Sequence, residues 1–167
     1  MHRRRRHLLV PLAATTALAC AVGLSVSGSA TAGDDGRNLL RSGLVGSTPP
    51  PPDDTGPTLF GVRPGGRPWV VDHNSSVRVR DDGRVDVKVR GLIIPGTGNP
   101  VARVVATVVC DGGAMTVSTS PADLSPAGDG RIRADLDLPE PCLAPAVLVR
   151  VVTATGAAGP YIAANGG

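Results

Sequence analysis

The sequence predicts an all-β protein: a single antiparallel β-sandwich, immunoglobulin-like, with about seven or eight short strands. Apolar residues recur at every second position from residue 58 onward, which is the period of a strand with one buried face. Gly, Pro, Asn and Asp divide these runs into short segments, as in sandwich domains of about 100 residues. No amphipathic run of helical length follows residue 32. Residues 58–167 are therefore predicted to be one domain, long enough to enclose an apolar core.

The predicted strands differ in how many of their faces are apolar. In chain order they are PWVV, SVRVR, RVDVKVRGLII, VARVVATVVC, AMTVS, RIRADLDL, AVLVRVVTA and PYIAA. Both VARVVATVVC and AVLVRVVTA are apolar on two faces, so we expect them to be central strands. RIRADLDL alternates between apolar and charged residues, which predicts one buried face and one solvated face.

The stretch VRVRDDGRVDVKVRG, residues 77–91, predicts a β-hairpin. A three-residue turn formed by Asp81, Asp82 and Gly83 places Val79 opposite Val85 and keeps the valines on one face. A two-residue turn would put arginine and valine on the same face, and a slip of one residue inverts the whole pattern. We therefore predict a type I turn that Gly83 closes in the left-handed conformation.

The other face of this hairpin is predicted to be charged. Its members are Arg78, Arg80, Arg84, Asp86, Lys88 and Arg90, with Asp81 and Asp82 at the tip. We interpret it as the solvated cover of edge strands, whose charges discourage pairing with other chains. The alternative is a surface for a polyanion, but no aromatic side chain is available there for stacking on bases, and the acidic residues repel phosphate. No nucleic-acid partner is expected, and binding to heparin or DNA should be weak and salt-sensitive.

Residues 1–32 are predicted to be a secretory signal peptide. Four arginines, Arg3 to Arg6, precede a long uncharged stretch, which ends at the small residues Ala30 and Ala32 that flank Thr31. Cleavage would leave Gly33 as the first residue of the mature protein. This predicts an extracellular protein without a membrane association after cleavage.

Three other interpretations of this N-terminus stay open. Cys20 follows TALA, which loosely resembles a lipoprotein box but lacks its usual large aliphatic residue; the protein would then be lipid-anchored at Cys20. The uncharged run is also long enough to span a bilayer if it is never cut. Finally, RRHLL resembles a twin-arginine export signal, which leaves the export route undecided.

The signal peptide accounts for the basic charge of the chain. The full sequence has 17 basic and 14 acidic residues. Without Arg3 to Arg6, 13 of the 17 basic residues remain against the same 14 acidic ones. Because the mature chain is close to neutral, its global charge does not predict a nucleic-acid partner.

Cys110 and Cys142 are the two cysteines of the mature chain, and we predict that they form a disulfide. Paired cysteines are typical of exported proteins. Their separation of 32 residues predicts a stabilisation of roughly 3–4 kcal/mol, because the link restricts the unfolded chain. A zinc site is a poor alternative, since two thiolates need further ligands and the mature chain has a single histidine, His73.

Residues 33–57 are predicted to be a flexible, disordered leader. GSTPPPPDDTGP contains four consecutive prolines, which favour an extended polyproline conformation and exclude a helix or a central strand. RNLLRSGLV, which precedes it, has too few apolar residues to fold alone. A recognition motif for a proline-binding partner is the alternative to this spacer.

Candidate catalytic and ligand-binding residues are few. No known catalytic motif is found in the mature chain. His73 is a candidate general base, but Asp72 should point to the opposite face of an extended chain, so we interpret His73 as a turn residue. The acidic pairs lack the dense loop that calcium requires. Trp69 is interpreted as a core anchor rather than a platform for sugars, and no catalytic, cofactor or metal site is predicted.

Three stretches carry a resemblance to other proteins. GVRPGGRPWVV, VRVRDDGRVDVKVRGLIIP followed by NPV, and CLAPAVLVR resemble a group of small secreted proteins of Streptomyces-type actinobacteria. The resemblance extends from about Gly61 to Ala164. It implies an exported, non-enzymatic protein, and it brings no activity and no functional residues with it.

These observations predict a secreted, non-catalytic β-sandwich protein with a binding or structural role and an extracellular or cell-wall partner. Two alternatives stay open: an enzyme without a recognisable motif, and a secreted inhibitor whose contact loop is PEPCLAP, residues 139–145. A pocket that holds His73 with a carboxylate would favour the enzyme. A rigid, protruding loop at Cys142 would favour the inhibitor.

Overall fold

The structure, a computed structural model, describes residues 36–48 and 58–166. The predicted signal peptide, its cleavage site at Ala30, Ala32 and Gly33, the alternative anchor at Cys20 and the proline run all lie outside the described residues. Within the described residues, no helix has the length and apolar character needed to span a membrane.

Nine strands make up the regular structure of residues 36–48 and 58–166. They are β1 (Asn38–Gly46), β2 (Ser76–Arg80), β3 (Arg84–Val89), β4 (Arg103–Cys110), β5 (Met115–Ser118), β6 (Ala122–Asp123), β7 (Gly130–Asp135), β8 (Ala146–Val152) and β9 (Ala158–Asn165). A single turn of 3-10 helix, Asp111–Gly113, follows β4. All strand pairs are antiparallel, so the prediction of an all-β, antiparallel protein is confirmed.

The strands form one hydrogen-bonded sheet that curls into a half-barrel. Its order is β5-β4-β8-β9-β1-β2-β3-β7, and β6 pairs separately with β4. The two halves of the sheet meet at β1, which pairs with β2 over Asn38–Gly43 and with β9 over Leu44–Gly46. One strand therefore holds both halves together.

The position of β1 corrects the predicted leader. The sequence predicts a flexible segment over residues 33–57, yet residues 38–46 form a strand that pairs with β2 and with β9. The apolar residues of β1 are too few to fold alone, but Leu44 is buried and Leu39 and Leu40 pack against the core that the other strands supply. A second correction concerns PWVV, in which Val70 forms an isolated bridge with Ile93 instead of a strand.

The apolar core collects the inward residues of both halves of the sheet. Its fully buried members from the strands include Val77, Val79, Val87, Val89, Val104, Ala106, Val108, Val147, Val149 and Ile162. As predicted, β4 and β8 are central strands, and seven of the eight residues of β4 are buried. Trp69 is 6% exposed and belongs to this core, as predicted.

The β2–β3 hairpin has the predicted register. Val79 pairs with Val85, and Arg78 pairs with Asp86. The turn between Arg80 and Arg84 contains three residues, and Gly83 has a φ of 83°, the left-handed conformation expected for it. The valines of both strands are buried and the charged residues point outward, so the alternation in the sequence is the alternation of the faces.

The sulfur atoms of Cys110 and Cys142 lie at disulfide-bonding distance. Both side chains are buried, at 1% and 7% exposure. Cys110 ends β4 and Cys142 lies just before β8, and these strands are direct neighbours in the sheet. The predicted pair therefore lies at the ends of two central strands, and these strands belong to the same half of the sheet.

Candidate functional site

The outward face of β1, β2, β3 and β7 carries a row of charged residues across four strands. Arg41 lies opposite Arg78, Arg78 lies opposite Asp86, and Asp86 lies opposite Arg133. Directly opposite residues on antiparallel strands share a face, with Cβ atoms about 4.5–5.5 Å apart. Three arginines and one aspartate are thus aligned perpendicular to the strands.

Neighbouring rows extend this charge in both directions along the strands. On one side Lys88 lies opposite Arg131, and on the other Arg84 lies opposite Asp135. We call the whole set the basic face; its members are Arg41, Arg78, Arg80, Arg84, Lys88, Arg131 and Arg133 with Asp86 and Asp135. Seven cations thus share this face with two carboxylates. Arg41, Arg131 and Arg133 come from strands distant in sequence from the hairpin. Arg90, Asp81 and Asp82, which the sequence predicts on the charged side of the hairpin, are not counted in this set.

Asp86 is the carboxylate at the centre of the basic face. Arg131 donates two hydrogen bonds to it, from Nε to Oδ1 at 2.8 Å and from Nη2 to Oδ2 at 2.5 Å. The Nε of Arg133 lies 3.7 Å from Oδ2. The hydrogen bonds from Arg131 lower the pKa of Asp86, with smaller contributions from the charges of Arg131, Arg133 and Arg78. The same hydrogen bonds raise the pKa of Arg131.

The remaining arginines of the face differ in their partners. The Nε of Arg84 lies 3.5 Å from Oδ2 of Asp82 and 4.0 Å from Oδ1 of Asp135. Arg78 and Arg80 form no ion pair with a carboxylate of the described residues. The side chains of Arg78 and Arg80 are both partly exposed.

A shallow groove runs across β2, β3 and β7 within the basic face. Its volume is about 350 Å³. It is lined by Arg78, Arg80, Arg84, Val85, Asp86, Arg133, Ala134 and Asp135. Four of the eight lining residues are arginines, so the groove can hold an anion against several guanidinium groups.

The geometry around His73 differs from the prediction. The chain turns at residues 73 and 74 instead of staying extended, so His73 Nδ1 lies 3.5 Å from Asp72 Oδ1. The expectation that Asp72 points away from His73 is therefore wrong. The same Oδ1 accepts a hydrogen bond from the Asn74 backbone N–H at 2.7 Å, which is the main cause of the lowered pKa of Asp72. The histidine side chain is 88% exposed and lies on the surface of this turn.

The segment that follows Cys142 is hydrogen-bonded to Asp111 and is not extended. The Leu143 N–H donates to Asp111 Oδ1 at 3.1 Å, and the Asp111 N–H donates to the Leu143 carbonyl oxygen at 2.9 Å. Asp111 and Ala144 both have positive φ, at 54° and 44°. The Leu143 side chain is 61% exposed. The backbone N–H and C=O groups of Leu143 therefore already have hydrogen-bond partners in Asp111.

No metal-binding cluster of three or more His, Cys, Asp or Glu side chains occurs within residues 36–48 and 58–166. The comparisons with known proteins give no match: no family model, no curated protein and no solved structure is significantly similar to the chain.

Proposed function

We propose that this chain is an exported, non-catalytic binding protein and that the basic face is its binding surface. The observation that carries the proposal is the row formed by Arg41, Arg78, Asp86 and Arg133, because it assembles cations from four strands. A mature chain close to neutral that collects seven cations on one face presents a localised positive potential. The expected partner is an anionic extracellular or cell-wall component.

The surroundings of His73 support a non-catalytic role. Its side chain is almost fully exposed, and the carboxylate nearest to it is already engaged by the Asn74 backbone. A general base works best where water is excluded and a neighbour orients it. Neither condition is met at this turn, so an enzyme with its site at His73 is the less favoured alternative.

The loop at Cys142 gives little support to the inhibitor alternative. A loop that binds along a protease cleft is extended and offers its backbone N–H and C=O groups to the enzyme. The backbone N–H and C=O groups of Leu143 are both hydrogen-bonded to Asp111, and Ala144 has a left-handed conformation. The hydrogen bonds between Asp111 and Leu143, the residues that follow Cys110 and Cys142, are better explained as support for the disulfide.

The basic face also gives little support to a nucleic-acid partner. Phe60, Trp69 and Tyr161 are the three aromatic residues of the chain, and none belongs to the strands of this face. Proteins that bind single strands stack bases on aromatic side chains. A nucleic-acid partner therefore remains outside the proposed function.

We also propose that the curled sheet is a variant of the immunoglobulin-like sandwich. Two features support this: the core cluster draws residues from both halves, and β1 passes from one half to the other. A solved crystal structure would test it. Two facing layers with mean strand directions within about 30° of each other are expected, and an open sheet would contradict the proposal.

A pull-down tests the binding function. The mature protein would be immobilised and exposed to culture supernatant and cell-wall fractions, beside two variants of equal charge. One is Arg78→Glu/Arg133→Glu in the basic face, and the other is Arg63→Glu/Arg103→Glu at exposed sites outside it. We expect capture of a component that the first variant loses and the second retains. Equal capture by both variants, or none by the parent, would contradict the proposal.

A further inference from the structure

The groove in the basic face combines arginines from three strands with an already satisfied carboxylate. Asp86 receives two hydrogen bonds from Arg131 and lies near Arg133. Asp86 also attracts Arg78, but four arginines line the groove against the two carboxylates of Asp86 and Asp135. Arg78 and Arg80 form no ion pair within the described part of the chain. The net charge of the residues that line the groove is therefore positive.

The positive charge is also concentrated by the register of the sheet. Arg41 faces Arg78 directly across β1 and β2, and like charges at such positions repel each other. Arg80 follows Arg78 on the same face, roughly 6–7 Å further along β2. An anion bound between these side chains would reduce the repulsion, so the arrangement favours an anion more than isolated surface arginines would.

The chemistry of the groove points to phosphate. A guanidinium group donates two parallel hydrogen bonds to an oxyanion, and a phosphate has enough oxygen atoms to accept from several such groups at once. The arginines that line the groove are solvent-accessible, so one phosphate bound to one of them would gain little. A ligand with several phosphates close together engages them simultaneously, and its contacts then reinforce each other.

We propose that the groove lined by Arg78, Arg80, Arg84 and Arg133 binds a ligand that carries clustered phosphate groups. This inference rests on the proposed binding function of the basic face and names the chemistry of its ligand. The volume of about 350 Å³ is sufficient for a compact ligand with several phosphates. The clustered phosphates belong either to a small free molecule or to a longer polymer that continues along the basic face.

Titration calorimetry with two probes separates these sources. The parent protein would be titrated in about 0.15 M salt with inorganic tripolyphosphate and with long-chain polyphosphate. Binding of tripolyphosphate identifies a small ligand that fills the groove, whereas binding of the long chain alone identifies a polymer that spans the face. Either result supports the proposal. Failure of both probes to bind at millimolar concentration would overturn it.

Two further probes test the preference for phosphate. Poly-L-glutamate presents carboxylates, and a single-stranded DNA oligonucleotide presents phosphates together with bases. We expect both to bind more weakly than the tighter of the two polyphosphate probes. Equal or tighter binding of poly-L-glutamate would show that any polyanion suffices, and equal or tighter binding of the oligonucleotide would point to a nucleic-acid surface. Either outcome would overturn the proposal.

A pair of variants matched in charge locates the site. Arg78→Gln/Arg80→Gln removes two cations from the groove, and Arg63→Gln/Arg103→Gln removes two exposed cations elsewhere. The groove variant should weaken binding about tenfold or more, because each lost guanidinium removes charge-assisted hydrogen bonds. The control should stay within about twofold of the parent, as expected for screened, distant charges. An equal loss in both variants would overturn the site, and thermal melts would verify that both variants fold.

The third variant, Asp86→Asn, tests the role of the central carboxylate. It removes the negative charge nearest to the ligand and releases Arg131, so binding should tighten. Weaker binding would contradict an anion site at this position. If the probes bind but the pull-down captures no partner, the phosphate site is supported and the proposed function is contradicted. If the pull-down captures a partner but neither probe binds, the proposed function is supported and the phosphate site is contradicted.

Discussion

Arg41 of β1 and Arg78 of β2 lie directly opposite each other on the outward face of the sheet. Cross-strand neighbours of equal charge are destabilising, whereas opposite charges at the same positions are stabilising. The fold therefore contains an unfavourable pair within the basic face. A binding surface that requires dense positive charge would explain why two arginines lie opposite each other.

Arg41→Glu should therefore raise the stability of the protein. The substitution turns the repulsive pair into an attractive one, and we expect a melting temperature roughly 1–5 °C above that of the parent. Arg41→Gln, which only removes the repulsion, should give a smaller rise, and added salt should reduce both. A decrease in melting temperature for Arg41→Glu would mean that the two side chains do not interact as the register implies.

The disulfide should contribute a large part of the stability. Replacing both Cys110 and Cys142 by Ser should cost roughly 3–4 kcal/mol and lower the melting temperature by more than about 10 °C, since the link closes a loop of 32 residues. A double Ala variant controls for burying two hydroxyl groups. Two reactive thiols in the native protein, or an unchanged melting temperature, would be incompatible with this role.

Asp86 should make stability depend on pH in the acidic range. Its pKa is lowered in the folded protein, chiefly by hydrogen bonds from Arg131, below the usual value of 3.8. The ionised carboxylate therefore contributes stability above about pH 4, and this contribution is lost as the pH falls through the lowered pKa. Thermal melts from about pH 7 to pH 2 should show Asp86→Asn less stable than the parent near neutrality, with the difference vanishing in acid. A difference independent of pH would refute this.

Gly83 should tolerate no side chain. It has a positive φ, and a Cβ atom there would overlap the carbonyl oxygen of Leu136, whose N–H donates to the Gly83 carbonyl oxygen at 2.9 Å. Gly83→Ala should cost about 3 kcal/mol or more in unfolding free energy. Gly96→Ala is the matched control, because Gly96 also has a positive φ but nothing within 4 Å of the added atom, so it should cost only about 1 kcal/mol. Similar losses in chemical denaturation would argue against the steric contact.

Leu44 tests whether β1 belongs to the folded domain. Its side chain is 6% exposed, whereas that of the next residue, Val45, is 59% exposed. Leu44→Ala should cost about 2–4 kcal/mol in unfolding free energy, because it removes packed methyl groups from the core. Val45→Ala should change stability by less than about 0.5 kcal/mol. If both substitutions were neutral, β1 would be dispensable, as the leader prediction implied.

The hairpin could be predicted in detail because its information is local. Valines alternate with charged residues on both strands, and one register keeps every valine on the same face. The central position of β4 and β8 was predictable for a similar reason, since their residues are apolar on both faces. In these segments, the pattern of buried apolar residues is sufficient to predict the strand faces and, for the hairpin, the register.

The basic face could be predicted only in part, because it depends on strand order. Arg41 reaches Arg78 only when β1 joins β2, and Arg133 reaches Asp86 only when β7 joins β3. The alternation of residues within a strand does not predict that β1 lies beside β2 or that β7 lies beside β3. β1 itself escaped prediction because its pairing with β2 and β9 and the core contacts of Leu39, Leu40 and Leu44 all come from residues distant in sequence.

The double pairing of β1 also dictates when the chain can finish folding. Leu44 of β1 pairs with Asn165 of β9, a residue synthesised about 120 positions later. The β2–β3 hairpin can form early from neighbouring residues, but the two halves of the sheet cannot join until the last strand has left the ribosome. Contacts between such distant segments make folding slow relative to local structures. A nascent chain with this topology therefore keeps the two halves of the sheet apart until β9 has been synthesised.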